Sequence, residues 1–542
     1  MRTNLKRESG GVREQLASSS DFPAATGAPA RGIVATDGSM NTAQTVPGLK
    51  HHAVRGGMVV GTAQMIRIAV QMISVVVLAR LLSPDDFGLV AAVTPVIAFI
   101  SMFQDLGYGQ AIVQRKEITE EQISSIFWTT TALGLFCVTI TILASPAVAW
   151  FFRDSRLLLI TIAASVPILL GSLMSVPSGL LNRHLKFAGL AVSDVLGAIS
   201  GLVSAVVAAL LGARYWSLMI ASTVSSLVIV IGYWRNAGWK PGRPKARFVD
   251  HEIGSFGANL TGSTFVNYFA RNLDNILIGR EAGSVQLGYY DRAYKLLYFP
   301  IQNINGPLYR VMTPLLSRVQ DDRPRFREMF LRASGQLTLL IVPGMAALVA
   351  VSHEFVALLF GARWLPVAPI FFFLGVNGLL LPLNNATSWI FIAQGRADVM
   401  FRVDIYSSLV TIASFFVGFH FGGAVGLAAA YAFVNYFLKT PVQYAVLHRS
   451  GPITALDLLW QQVPLVFAAG GTLLIVRFLL QDRMRFQGIP LIALALVLSY
   501  ALSIAVTAVR PGGRAVLAET GSLMGQLLSQ ALTRLRLKTD RA

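Results

Sequence analysis

An all-α, polytopic membrane protein is the fold class this sequence predicts, on three observations. Of its 542 residues, 54% are hydrophobic and 13% charged, with a mean hydropathy of +0.60; a soluble domain carries about 25% charged residues. Apolar runs of spanning length recur from about residue 57 to residue 509. The basic residues are shared unequally between alternate loops, as topogenic charge is. The net charge of +18 would suggest nucleic acid in a soluble protein. In a membrane protein it reads as orientation, and no nucleic-acid partner is expected.

The elements follow in order. Residues 1–55 carry no apolar signal-peptide core, and their Ser/Gly/Ala-rich composition predicts a disordered tail. Six spans follow, at about 57–82, 87–112, 122–144, 157–180, 188–211 and 214–234, in an N-terminal lobe over 56–234. A basic linker over 235–253 contains Lys240-Pro241-Gly242-Arg243-Pro244-Lys245. Spans resume at about 254–279, 286–313, 334–360, 366–393, 399–420 and 422–446, in a second lobe over 254–446. Two more, at about 457–480 and 488–509, occupy 447–510. The last segment, 511–542, includes Leu523, Leu527 and Leu535 beside Arg534, Arg536 and Lys538 over 515–538, the pattern of an amphipathic helix on an anionic leaflet. About fourteen spans of roughly 32 residues each, loop included, leave no room for a large soluble catalytic module.

With the N-terminus inside, the tails and even-to-odd connections hold thirty Lys and Arg, against seven in the opposite loops. Both termini are therefore expected in the cytoplasm. Trp128, Trp150, Trp216, Trp234, Trp239, Trp364, Trp389 and Trp460 stand at or near span ends, where interfacial anchors are expected. The single Cys137 excludes an intrachain disulfide.

The halves repeat. Leu78-Ala79-Arg80 running into Phe87-Gly88-Leu89 matches Ile278-Gly279-Arg280 running into Leu287-Gly288-Tyr289, at an offset of 200. Phe187 to Asp194 echoes Val399 to Asp404 at an offset of 210. Six spans per half make the repeat parallel, with its axis along the membrane normal, and substrate sites in such proteins lie at the interface between the repeats. Gly197 and Gly201 form a small-xxx-small pair that predicts close helix packing.

Asn272-Leu273-Asp274-Asn275-Ile276-Leu277-Ile278-Gly279, followed by Leu287-Gly288-Tyr289-Tyr290 and Ala293-Tyr294, resembles the seventh-helix region of bacterial polysaccharide transporters. So does Ala79-Arg80-Leu81-Leu82-Ser83-Pro84-Asp85-Asp86-Phe87-Gly88. These are the Wzx-type oligosaccharide flippases of the multidrug/oligosaccharidyl-lipid/polysaccharide exporter superfamily. Over about 55–510 the resemblance implies two six-helix lobes around a central cavity, two appended helices and translocation of undecaprenyl-diphosphate-linked sugars across the bacterial inner membrane. It also implies membrane lipids, a polymerase and a chain-length regulator as partners.

Polar residues inside the spans give the candidate site. Gln64, Arg67, Gln71 and Ser74 share one face of span 1. Asn259, Ser263, Asn267, Arg271 and Asn275 repeat every four residues in span 7, with Asp274 beside the last. Asp291, Lys295, Tyr298, Gln302, Asn305 and Tyr309 form a stripe in span 8. Such faces must look onto a wettable interior. Arg271 with Asp274, and Asp291 with Lys295, either neutralise within their own helices or meet the substrate. Arg67 has no acid within four residues. Alone it costs about 2.5–3.5 kcal/mol to insert, and an anion at about 4 Å returns about 4 kcal/mol at an effective dielectric near 20. It is expected to bind an anion or to pair with an acid of another helix, such as Asp105. Gln64, Arg67, Gln71, Asn267, Arg271, Asp274, Lys295 and Asn305 are the expected substrate-binding residues.

No G-x-x-x-x-G-K-[ST] run and no H-x-x-x-H or H-E-x-x-H spacing occurs, so no cofactor, metal or catalytic residue is expected. His353-Glu354 reads as interfacial. Three functions compete. A lipid-linked oligosaccharide flippase uses Arg67, Arg271 and Lys295 for the diphosphate, and Tyr and Asn for sugars. A cation-coupled drug exporter of the same superfamily would favour acids and aromatics. A membrane polymerase would need an outside loop longer than the roughly twelve residues of 145–156. Asp105, Asp274, Asp291 and Asp404 are the candidates for a coupling ion.

Overall fold

The computed structural model describes residues 49–104, 107–115, 117–243, 268, 272–484, 486–510, 512–522, 525 and 529. Helices α1 (Leu49–Leu81), α2 (Pro84–Ser101), α3 (Tyr108–Gln114), α4 (Glu120–Phe152), α5 (Arg156–Arg183), α6 (Phe187–Leu210) and α7 (Trp216–Ala237) come first. After them come α8 (272–281), α9 (Gly283–Arg318), α10 (Arg323–Ala350), α11 (Ser352–Phe360), α12 (Val367–Gly378) and α13 (Leu381–Ala393). The chain continues through α14 (Ala397–Val434), α15 (Thr440–Ser450), α16 (Ala455–Leu474) and α17 (Gly488–Val509). No strand occurs among the described residues.

Eleven helices among the described residues are long and apolar enough to cross a membrane. Three expected spans account for the difference from fourteen. The run at 254–279 lies mostly outside the described residues. The run at 286–313 is α9, whose polar stripe lowers its hydropathy. Those at 399–420 and 422–446 share the stretch Ala397–Arg449 as two helices that fold back on each other at the non-helical Gly422 and Gly423, where Gly423 takes φ 55°: Phe415 packs against Tyr431, and Lys439 donates to the Thr411 hydroxyl at 3.1 Å.

Local chemistry starts the helices where the sequence turns. Ser83 caps α2 reciprocally with Asp86, and Pro84 occupies the first turn. Thr119 with Gln122 does the same for α4, and Thr454 with Asp457 for α16. Gly197 and Gly201 let α6 approach α7 closely: a Cβ on either would meet Ile229 or Ser225 within 3.0 Å, as the small-residue spacing predicts.

Helices α2–α7 pack mainly among themselves, and α9–α17 do likewise. The two groups join where α2 lies against α9. The pairing is reciprocal across the repeat. A Cβ on Gly88 would stand 1.7 Å from the Ser284 carbonyl oxygen, and one on Gly288 would stand 1.9 Å from the Pro84 carbonyl oxygen. Gly88 matches Gly288, and Pro84 matches Ser284, at the offset of 200 that the sequence carries. Such isologous contact is the signature of a twofold, here a pseudo-twofold. Only glycine permits the approach.

Two of the eight tryptophans correct the expectation of interfacial anchoring. Trp364 and Trp389 are fully buried. Trp364 packs against Phe87, Tyr289 and Phe360, and its indole N–H donates to the Ala79 carbonyl at 2.7 Å. An indole at a span end serves equally well as the core of a junction between helix groups. Cys137 is buried and free.

The 1–55 tail lies outside the described residues as far as residue 48, as do 244–253 of the linker. Of the expected amphipathic segment at 515–538, residues 515–522 are helical. Glu519 of that helix pairs with Arg332 at 2.8 Å and accepts from Gln336 at 3.2 Å, and Val516 is buried.

Candidate functional site

Arginines cross the junction in a matched pair. Arg80, at the end of α1, donates to the Leu359 and Leu358 carbonyls at 3.2 and 2.5 Å, at the C-terminus of α11. Arg280, its repeat partner, donates to the Phe151 carbonyl at the C-terminus of α4 and stands over the Phe151 ring. Cations are favoured at helix C-termini, where carbonyls lack partners. Phe152 lies against Gly279 as Trp364 lies against Ala79. Each group thus caps a helix end of the other.

A polar knot tightens the same end. Arg156 reaches Asp85 at 2.6 and 3.2 Å and Asp154 at 2.7 and 3.0 Å, both bidentate. The Ser284 hydroxyl donates to Asp85 across the junction. Hydrogen bonding from Arg156 holds the Asp154 carboxyl below the usual carboxylate range.

Span 1 has a different character away from this end. Leu78 and Ala79 of α1, and Leu82 just beyond it, are buried, whereas no residue from Val59 to Val77 is. Gln64, Arg67 and Gln71 are exposed on that stretch. Arg67 meets an acid of another helix, and the acid is Asp194 of α6, at 3.6 Å; Asp105 lies outside the described residues. Asp194 also accepts from the Tyr233 hydroxyl of α7 at 2.7 Å. Tyr233 lines a cavity of about 720 Å³ with Gln110, Gln114, Ser175, Ser178 and Asn182.

The remaining expected residues fall in two places. Asp274 and Asn305 line a cavity of about 570 Å³ inside the second helix group. Its other walls are mostly amides and hydroxyls, among them Gln302, Asn384, Asn385 and Gln443, with Asp404 and Lys439 also present. Asp274 accepts from Tyr290 at 2.8 Å, while the amide oxygen of Asn305 is buried with no partner among the described residues. Lys295 lies elsewhere, at the junction. It and Arg292 share the single carboxylate of Asp291, at 2.9 and 2.7 Å, and Arg292 stacks on Phe87 at 4.1 Å. The expected internal pairing of Asp291 with Lys295 is present, yet two cations face one acid and Lys295 stays half exposed. Asn267 and Arg271 lie outside the described residues.

The structure brings Asp274 and Asn305 together and keeps Arg67, Gln64 and Gln71 on one helix face. It does not gather all of these into one cavity. Asp194, Tyr233, Lys439, Arg80 and Arg280 are not among the expected binding residues, although Arg80 and Arg280 stand in the repeated motif. The 187–194 and 399–404 echo was the available signal for Asp194 and its counterpart Asp404.

An apolar groove of about 1010 Å³ runs along the flank of the second group, walled by Val349, Phe373, Val417, Phe433, Phe437 and Leu473. Glu354 accepts from Gln481 at 2.7 Å, and His353 and Arg477 stand near them around a neighbouring cavity.

Comparison with known proteins sets this geometry among relatives. A family described as polysaccharide biosynthesis protein matches residues 77–369. The lipopolysaccharide biosynthesis protein WzxC of Escherichia coli (strain K12) is 25% identical over 410 residues, covering 74% of this chain and 81% of that protein. The succinoglycan biosynthesis transport protein ExoT of Rhizobium meliloti (strain 1021) is 27% identical over 426 residues, covering 76% and 83%. The lipid II flippase MurJ in an inward closed conformation superposes with a TM-score of 0.67 at 12% identity, over 83% of this chain and 98% of that one. An inward-facing multidrug resistance MATE transporter superposes at 0.53 and 17% identity, over 73% and 99%. These two structural likenesses establish a shared fold of polytopic helices.

Proposed function

The chain belongs to the polysaccharide biosynthesis protein family, and we propose that within it this protein is a flippase for undecaprenyl-diphosphate-linked oligosaccharides. It works in the bacterial inner membrane with both termini cytoplasmic, feeding exopolysaccharide, capsule or lipopolysaccharide export by alternating access. It is a transporter with no catalytic residue or cofactor of its own. The polymerase and chain-length regulator of the same pathway are its expected partners.

The observation that carries this reading is positive charge within the spans that acids offset only loosely or in part. Arg67 stands half exposed on α1, and Arg292 and Lys295 share one carboxylate. Charge of that sign inside a membrane suits an anion, and a diphosphate is the anion that lipid-linked sugars carry. The amide- and hydroxyl-lined cavities suit sugar hydroxyls. The flank groove suits a hydrocarbon chain. In this orientation the clasped end faces the periplasm, and substrate enters from the opposite side, where α1 is least covered.

A second reading is a cation-coupled drug exporter, favoured by Asp274 and Asp404 on one cavity wall. Both readings use the same fold, so the fold does not choose between them. A clean deletion does. Loss of surface polysaccharide, with lipid-linked repeat units accumulating on the cytoplasmic leaflet, is the expected result. Normal surface polysaccharide in a strain with no second flippase gene would overturn the proposal, and added sensitivity to cationic toxins would then favour the exporter. Single units exposed outside would instead identify a polymerase.

A further inference from the structure

Two arginines of the first helix group hold carboxylates in opposite manners. Arg156 grips Asp85 and Asp154 through five side-chain hydrogen bonds, two of them at 2.6 and 2.7 Å. Arg67 stands 3.6 Å from Asp194, with side chains 49% and 30% exposed. A guanidinium has five N–H donors in a rigid fork that matches paired oxygens. At 3.6 Å, with half its surface open, the Arg67 fork remains available to a better-matched anion. Gln64 and Gln71 stand one turn to either side on the same exposed face. Arg67 is fourteen residues before the clasped Leu81, so roughly 21 Å from that end along the helix.

The carboxylate is itself restrained. The Tyr233 hydroxyl donates to one oxygen of Asp194 at 2.7 Å, and the other oxygen faces Arg67. That bond draws charge away from the oxygens and fixes the carboxylate on α6 and α7. When Arg67 departs, Asp194 keeps a partner. A carboxylate stranded in a membrane interior without one would hold the cation far more firmly.

We infer that Asp194 is an exchangeable counter-ion: it keeps the Arg67 guanidinium in place on α1 while the site is empty, and the diphosphate of a polyprenyl lipid displaces it. This rests on the flippase reading and deepens it. Asp194 and Tyr233 are positioning residues that act through Arg67 and touch no substrate. The exchange supplies an order of events. Binding detaches α1 from α6, and release of the product lets Asp194 draw the guanidinium back.

The sign of one substitution distinguishes this from a structural ion pair. The probe is farnesyl diphosphate, titrated onto purified full-length protein in nanodiscs, with inorganic pyrophosphate as a parallel ligand. R67A should weaken binding about tenfold or more, and R67K should fall between, because a point charge remains without the fork. D194N keeps the acceptor for Tyr233 and removes the competing charge, so it should tighten binding about threefold or more. In a transport assay the same variant should lower both KM and kcat, since the guanidinium then lacks the pull that releases product. Y233F leaves Asp194 a stronger competitor and should weaken binding about threefold. It carries the test should D194N fail to fold. Weakening by D194N, in step with R67A, would show a structural tie and overturn the inference alone, as would tightening by Y233F. Absence of binding to the wild-type protein would overturn the flippase reading with it. Equal affinity for pyrophosphate and farnesyl diphosphate would overturn the assignment to a lipid.

Discussion

The last turn of α1 and the stretch before it, Val59 to Val77, rest on opposite kinds of contact. At Leu81 the helix enters a junction whose contacts all fall on backbone: the Ala79 carbonyl accepts from the Trp364 indole, the Arg80 side chain caps α11, and the next helix meets α9 through paired glycines. Along Val59 to Val77 nothing is buried, and Arg67 meets Asp194 at a loose 3.6 Å. Backbone contact is short-ranged and directional, so it is either made or lost. A half-exposed ion pair is soft and exchangeable. Contact of the clasped kind suits an element with two discrete states, as alternating access requires, while contact of the other kind suits one that a ligand biases.

The repeat adds a second lesson. Because Gly88 and Gly288 exchange places across the pseudo-twofold, neither contact can open without the other. Arg80 and Arg280 follow the same rule, each bonded to a helix C-terminus of the opposite group. Opening is then a concerted separation of the two groups.

The largest expected effect comes from breaking this crossing. In G88L the first side-chain carbon alone would overlap the Ser284 carbonyl oxygen, and helix backbone has nowhere to yield. Export should be lost completely with the protein still inserted. S284C should then become fully reactive to a membrane-impermeant maleimide from the periplasm. Retained export in G88L would show that the clasped state is not part of the transport cycle.

Removing one cap should have a smaller effect. A hydrogen bond to a charged group contributes about 1.5–3 kcal/mol, and Arg80 has two carbonyl acceptors where Arg280 has one and a ring face. R80A should therefore open the clasp more than R280A, each by about tenfold or more in the disulfide-trapping rate of a D85C/S284C pair. The double variant should fall short of the product of the singles, because both caps guard one concerted opening. Independent, multiplicative effects would refute concertedness.

Much of this contrast was legible in the sequence, and the reason is locality. Hydropathy locates the described spans, and the 200-residue offset puts Gly88 and Gly288 in register. The polar face of Gln64, Arg67 and Gln71 was readable from helical spacing alone. What spacing cannot supply is the partner: Asp194 lies on another helix, and only packing brings it to Arg67. The same holds for Lys295, whose i,i+4 acid was evident but whose second neighbour, Arg292, makes the cluster cationic through its stack on Phe87. Trp364 and Trp389 misled because a span end is both a lipid interface and the place where helix groups meet.

The smallest effect is expected at the C-terminal helix, and it sets the outer limit of the comparison. Glu519 joins this helix to α10 through Arg332 and Gln336, with the two charged side chains 37% and 47% exposed. An exposed pair of this kind contributes about 0.2–1 kcal/mol, and Arg332 retains Glu328 as an alternative partner at 2.5 Å. E519A should thus lower the melting temperature of the purified protein by at most about 3 °C, a scale set by protein size, with export unchanged. V516D should do more, because it places a charge against Gly335, where the valine is 4% exposed. If E519A instead abolished export as G88L does, the tail would be a working part of the unclasped end. The softness of that end would then be regulated from the C-terminus rather than by Asp194 alone.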